Sequence, residues 1–349
     1  MSDDLSSTYT EITSQTVAWA AALRAIRTNR WALQALWAET HDQVLYTGCG
    51  STYCLSLAAA VLAQDSTGVI ARALPASELA LYPRSSYPRN GQQTLLIAVS
   101  RSGRTTETLR AVEAFREARK GKVIAITNDP QAPLVSLSDL AIPIPDGQEK
   151  SITETRSFAS MLVATTAMSL IFAGRDDLLA ALGGLVPAGD RLVRDYEGLA
   201  RRWGEDGCLA AFYFLGSGPR YGLACEASLK MKEMSLTASE PFHFPEFRHG
   251  PQSMVRPDAL VVGLLSDATR PHEQAVLREV RDLGGQTLSL GEEEADASFA
   301  SGLPEAVRDV LYLPILQLMA YYRAVCKGLN PDRPQNLSAF VELEWPVHH

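Results

Sequence analysis

Short, uninterrupted apolar runs alternate with longer amphipathic stretches along most of the chain. Leu45–Tyr53 (LYTGCGSTY) and Ala98–Thr106 (AVSRSGRTT) each carry a strand-like run into a Gly/Ser/Thr turn and then into helix-forming sequence. The runs are continuous rather than alternating, as expected of a parallel sheet with helices on both faces. Between them, Thr106–Lys120 and His272–Asp282 have helical spacing of apolar positions. The pattern occurs twice. Gly48 corresponds to Gly216, the run from Leu95 to that from Val261, and the run from Gly121 to that from Gly285, at nearly constant separation. Each half therefore reads as a doubly wound α/β unit, giving two tandem parallel-sheet domains.

The pattern also sets expected boundaries. Residues 1–37 form a helical segment, 38–175 the first α/β domain, 176–206 a linker in which Leu192–Trp203 is helical, 207–329 the second domain, and 330–349 a largely irregular tail. Pro304–Gly328 is expected to be one long buried helix. Ser157–Gly174 approaches membrane-spanning length, but its Ser, Thr and Gly content makes a buried helix the better reading, so no membrane association is expected.

Composition narrows the partners. The 349 residues carry a net charge of −8 without any basic run, which argues against nucleic acid. The five cysteines, Cys49, Cys54, Cys208, Cys225 and Cys326, lack CxxC spacing and His pairing, so they read as buried free thiols of a reducing compartment, and no metal site is expected. The acidic, polar start MSDDLSSTYTE lacks the apolar core of a secretory signal, and a cytoplasmic protein is the expectation.

Candidate chemistry begins at the two turns. Ser100, Ser102 and Thr105, with Gly103 allowing close backbone approach, lie where a helix beginning near Thr105 would aim its free N–H groups; Gly50, Ser51 and Thr52 occupy the matching turn. Such turns suit a phosphate-sized anion, although capping and tight turning alone would also select these residues. The second half carries Asp267-Ala-Thr-Arg at the place of the Ser-Gly loop, and a carboxylate there would repel an anion. One phosphate site per chain, in the first half, is predicted. In the second half Glu226, Lys230 and Glu233 stand on one helix face, with Leu223, Leu229 and Leu236 as packing positions. That spacing fits a surface ion pair as well as a catalytic cluster.

Six motifs in order, GCGSTY (48–53), SRSGRTTETL (100–109), EKSITETRSF (149–158), GSGPRYGLACEASLKMKE (216–233), EFRHGP (246–251) and NPDRPQNLS (330–338), resemble the double sugar isomerase (SIS) domain family. That family includes the isomerase half of glucosamine-6-phosphate synthase and stand-alone amino-sugar-phosphate deaminases, isomerases and deglycases. The resemblance implies that Glu233 is the base moving a proton between C1 and C2 of an open-chain sugar. It implies that His249 opens the ring from across a two-fold dimer whose sites are shared, with Lys230 and Glu226 beside the base. Gly50, Ile152, Ser338 and Ala339 fall where substrate contacts would lie, with the tail closing the site.

Departures from the family are informative. Arg101 and Arg104 replace a Gln and a Glu of the synthase, so Arg101 either grips the anion or faces solvent, and a 6-sulfo sugar becomes an alternative to a 6-phospho sugar. Ala339 stands where the synthase has its Schiff-base lysine, and an alanine cannot be a nucleophile. Ser2 stands where a glutaminase would begin with cysteine, so glutamine-dependent amination is not expected. The expectation is cofactor-free conversion of glucosamine 6-phosphate to fructose 6-phosphate and ammonia. A fructosamine-6-phosphate deglycase, a plain aldose–ketose isomerase and a non-enzymatic sugar-phosphate sensor are the alternatives.

Overall fold

The computed structural model describes residues 6–39, 41–86, 93–118 and 120–344. Two five-stranded parallel sheets carry the architecture, and the expected α/β class is what the chain adopts. The first sheet contains β1 (Gln43–Gly48), β2 (Ala71–Pro75), β3 (Thr94–Ser100), β4 (Val123–Thr127) and β5 (Leu140–Pro143), in the order β2-β1-β3-β4-β5. The second contains β6 (Ala211–Gly216), β7 (Ala238–Phe242), β8 (Ala259–Leu264), β9 (Gln286–Gly291) and β10 (Ala297–Ser298), in the order β10-β9-β8-β6-β7. Central strands β1, β3, β4 and β8 are buried at every residue, and β6 at every residue after Ala211, which is why their sequences are continuous apolar runs.

The chain divides into two compact units that cut across its linear order. One holds the first sheet and comprises Val17–Gln148, Arg156–Ala180 and the chain from Ser338 onward. Its core joins Leu96, Ala98 and Val123 of the sheet to Ala111, Val112 and Phe115 of the helix Thr106–Glu117. On the other side the helix Arg156–Phe172 is buried along nearly its whole length, consistent with its all-round apolar sequence.

The other unit holds the second sheet with residues up to Thr16, Glu149–Thr155 and Ala181–Leu337. Its core gathers Tyr213, Leu215, Phe244, Phe247, Val261 and Val276. Glu149–Thr155 is fastened there by the buried carboxylate of Glu11, which accepts from the Ser151 amide and hydroxyl. Residues 330–333 are fastened by Asp332, whose carboxylate accepts from Ser7 N at 2.9 Å, Thr8 N at 2.8 Å and the Thr8 hydroxyl at 2.7 Å. This carboxylate caps the free N–H groups of the helix Ser7–Thr13 from a distant part of the chain.

Four expectations need correction. Of the cysteines expected to be buried, Cys54 is, whereas Cys49 and Cys225 are half-buried and Cys208 and Cys326 are exposed, Cys208 lying between two elements and Cys326 at the end of a helix. The helix expected over Pro304–Gly328 spans only Leu313–Cys326, preceded by two 3-10 turns, because Pro314 lacks an N–H and suits the first helical turn rather than an interior. The connecting stretch is more helical than Leu192–Trp203, with Leu185–Glu205 forming one helix. Leu236 does not pack inward; it is 51% exposed, since it lies past the end of the helix Arg220–Ser235 in a left-handed cap.

Candidate functional site

In the first-sheet unit β1 and β3 are adjacent, with Thr47 opposite Ala98, and their following turns emerge side by side at the carboxyl ends of the strands. β1 leads through its helix to β2 on one side while β3 lies on the other, so this is the point where the winding reverses and where such sheets bind ligands. Ser100, Arg101, Ser102, Gly103 and Thr105 share one of these turns, and Gly50, Ser51 and Thr52 the other.

Several hydroxyls there shape the turn itself. Ser100 Oγ accepts from Gly103 N at 3.1 Å and Ser102 Oγ from Arg104 N at 3.2 Å. Thr52 Oγ1 is held within its own turn by the Cys49 amide and carbonyl, each at 2.9 Å. Gly103 has φ +58, and a Cβ there would come within 2.4 Å of Ala132 Cβ. Thr105 caps the helix Thr106–Glu117 without a side-chain hydrogen bond to it.

Arg101 is 6% exposed, so it does not face solvent; its Nη2 donates to Ala339 O at 2.6 Å. Arg104 pairs instead with Asp129 at 3.1 Å. The tail also reaches the start of the helix, where Thr106 N donates to Val341 O at 3.2 Å and Leu343 N to Thr106 Oγ1 at 3.0 Å. A tail carbonyl thus takes one of the helix's N-terminal donors. Ser338 is exposed, its hydroxyl donating to Phe340 O at 2.9 Å.

The equivalent turn of the second sheet already holds an anion of the protein's own. Glu273, 2% exposed, accepts from Ser266 N at 2.6 Å and the Thr269 hydroxyl at 3.0 Å. Asp267, singled out by sequence, is turned to Arg308 and to Arg270 at 3.0 Å, and is held below the usual carboxylate range by these guanidiniums against the upward push of burial. Glu273 escaped notice because nothing local distinguishes it from a first-turn helix acid.

In the second-sheet unit the helix Arg220–Ser235 turns Glu226 and Lys230 inward, with side chains 1% and 2% exposed. Lys230 Nζ lies 3.3 Å from Glu226 Oε1 and donates to Glu233, which is 20% exposed. Burial pushes the ammonium toward losing its proton, but Glu226 and Glu233, joined by Glu154, outweigh it and hold Lys230 protonated well above its ordinary range. The cluster is no surface pair. Glu154 was missed by sequence reading because its partner is distant in the chain.

Glu233 also lines a pocket of about 300 Å³ with Leu236, Asn330, Arg333 and Gln335. Ile152 N donates to Asp332 O at 3.0 Å in the same unit. His249 is exposed on the turn after Phe244–Phe247 and is not among the lining residues of that pocket. Among the described residues no group of three His, Cys, Asp or Glu is placed to hold a metal ion, and no helix is long and apolar enough to cross a membrane.

The SIS domain profile matches residues 39–173 and 211–298. A glutamine–fructose-6-phosphate aminotransferase (isomerizing) of Gloeobacter violaceus is 30% identical over 330 residues, covering 87% of this chain and 52% of that protein. The chain thus spans about half the length of the curated relatives it matches. The crystal structure of a glucosamine-6-phosphate deaminase from Thermotoga maritima superposes with a TM-score of 0.81 at 28% identity, covering 97% of this chain and all of that one. A tagatose-6-phosphate ketose/aldose isomerase from Escherichia coli, at 24% identity and TM-score 0.84 over 95% of this chain and 96% of that one, shares the fold.

Proposed function

The chain belongs to the SIS domain family, and we propose that it is a phosphosugar isomerase whose proton transfer between C1 and C2 releases nitrogen from an amino-sugar 6-phosphate. The observation that carries this reading is a partly exposed carboxylate, Glu233, gripped by a fully buried lysine and opening onto a pocket. A buried ammonium beside it fixes its orientation.

The phosphate is held at the β1 and β3 turns, whose second-sheet counterpart is self-filled by Glu273, leaving one anion site per chain. Glu233 removes the C2 proton of the open-chain aldose and returns it to C1. With glucosamine 6-phosphate this turns the C2 amine into a ketose imine. Water adds to C2, the C–N bond breaks, and fructose 6-phosphate and ammonia leave; the reaction is redox-neutral. His249, exposed on its turn, opens the ring in a second copy's site, making a homodimer the working form. No step uses a lysine imine, consistent with Ala339 in the tail.

The test is incubation with glucosamine 6-phosphate, following ammonia and fructose 6-phosphate by NMR. Equal release of both supports the reading. Isomerisation of a hexose 6-phosphate without any nitrogen release from amino sugars overturns the deaminating part.

A further inference from the structure

We propose that the amino ends of β6 and of the edge strand β7 carry a second small-molecule site, which takes a free α-amino acid with an apolar side chain. The inference does not rest on the role proposed for Glu233.

Strand register builds the site. Ala211 pairs with Ala238 and Tyr213 with Glu240, and residues two apart on a strand share a face, so these four side chains form one patch. The two alanines leave room that larger side chains would fill. The turn Pro251–Met254 and the residues leading into β8 supply the other wall, through Met254 and Arg256, and the pocket they bound measures about 420 Å³. None of its lining residues belongs to the pocket of Glu233.

Two polar groups there lack partners. Tyr213 is 3% exposed, its ring held by Phe242 and Phe247 with centroids at 6.3 and 5.7 Å, yet among the described residues its hydroxyl makes no hydrogen bond. Glu240, exposed on the edge strand, has no cation within ion-pair distance among the described residues. Arg256 gives its Nε to Asp258 at 3.1 Å, and its terminal nitrogens have no hydrogen-bond partner among the described residues. Opposite charges thus flank one phenol. Burial, and after it Glu240, raise the pKa of the Tyr213 hydroxyl while Arg256 opposes them, so the hydroxyl stays a protonated donor at neutral pH.

Charge decides the ligand. The Glu240 carboxylate selects an ammonium, and the free end of the Arg256 guanidinium selects a carboxylate, which the Tyr213 hydroxyl can share. A buried donor gains most from a charged acceptor. Between the charges, Ala210, Ala211, Ala238 and Met254 offer an apolar wall, and the thioether adapts to side chains of different shape.

Calorimetric titration of the full chain with L-leucine, L-methionine and L-phenylalanine is expected to show saturable binding by at least one of them, with a dissociation constant of about 1 mM or tighter. For that amino acid, the amine lacking its carboxylate and the acid lacking its amino group are each expected to bind at least about tenfold more weakly. Glu240→Gln should lower the preference over the acid by about tenfold, and Arg256→Met the preference over the amine by about as much. Tyr213→Phe keeps the ring in the core and should weaken the amino acid by about threefold or more. Absence of binding by all three amino acids overturns the assignment, as does an affinity unchanged in both Glu240→Gln and Arg256→Met. An amine that binds the wild type as tightly as its amino acid also overturns it, since no carboxylate contact then exists. These outcomes leave the isomerase reading, which turnover tests, unaffected.

Discussion

Replacing Lys230 by Met removes a buried charge from the second-sheet unit at nearly constant side-chain length. The ammonium is 2% exposed and is the counter-charge of Glu226, itself 1% exposed, at 3.3 Å. Methionine fills similar volume, so little cavity is created, and the cost is that of a buried carboxylate left without its cation, about 3–5 kcal/mol. The double variant Glu226→Gln/Lys230→Met removes that orphan charge and should recover at least about 2 kcal/mol.

The pH dependence separates this mechanism from simple packing loss. In the wild type Lys230 is shifted upward, so its contribution is complete below about pH 10.4 and is lost as pH rises through the folded value. The variant lacks that alkaline loss. Urea melts between about pH 7 and 11 read this difference, using the transition that reports the second-sheet unit, because two units need not unfold together. A neutral-pH cost under about 1 kcal/mol, or a double variant showing no recovery, would refute the argument.

Gly103→Ala forces an alanine into a left-handed backbone against Ala132, so it should lose at least about 1–2 kcal/mol in thermal melts and weaken inorganic phosphate binding at least about tenfold by calorimetry. Wild-type phosphate affinity in a folded variant would remove the Ser-Gly turn from the anion site. Asp332→Ala uncaps the helix Ser7–Thr13 and should cost about 1–2 kcal/mol at pH 7. Because Asp332 is shifted downward, its contribution is present above the unfolded value of about 3.9 and lost as pH falls through the folded one, so variant and wild type should converge in acid. A difference independent of pH would mean the carboxylate is not the cap.

Much of the fold was legible because parallel strands buried on both faces leave an unmistakable signature: the runs at Leu45, Leu95, Val261 and Gly285 all became strands, and their repetition gave the two sheets. The turn residues followed from the same rule, since strand, Gly/Ser turn and helix succeed one another locally. What escaped reading depends on contacts distant in sequence. Arg101 looked free to grip ligand or meet solvent, and instead binds a carbonyl 238 positions away. Glu226 and Lys230 had the spacing of a surface pair; only the fold places that face inside. Glu273 and Asp332 are ordinary acids in sequence, yet Glu273 accepts from the Ser266 amide and the Thr269 hydroxyl beside its own helix, and Asp332 accepts from the Ser7 and Thr8 amides across the unit. The start of the helix at Leu313 was legible in Pro314, and was overridden by the apolar run that precedes it.

The most direct measurement is solvent deuterium incorporation at C1 and C2 of glucosamine 6-phosphate, followed by NMR for wild type and Glu233→Gln with binding of the sugar measured in parallel. The account predicts incorporation by the wild type and a loss of at least about 100-fold in the variant, with the dissociation constant changed by less than about threefold. Incorporation at the wild-type rate by a Glu233→Gln protein would contradict it.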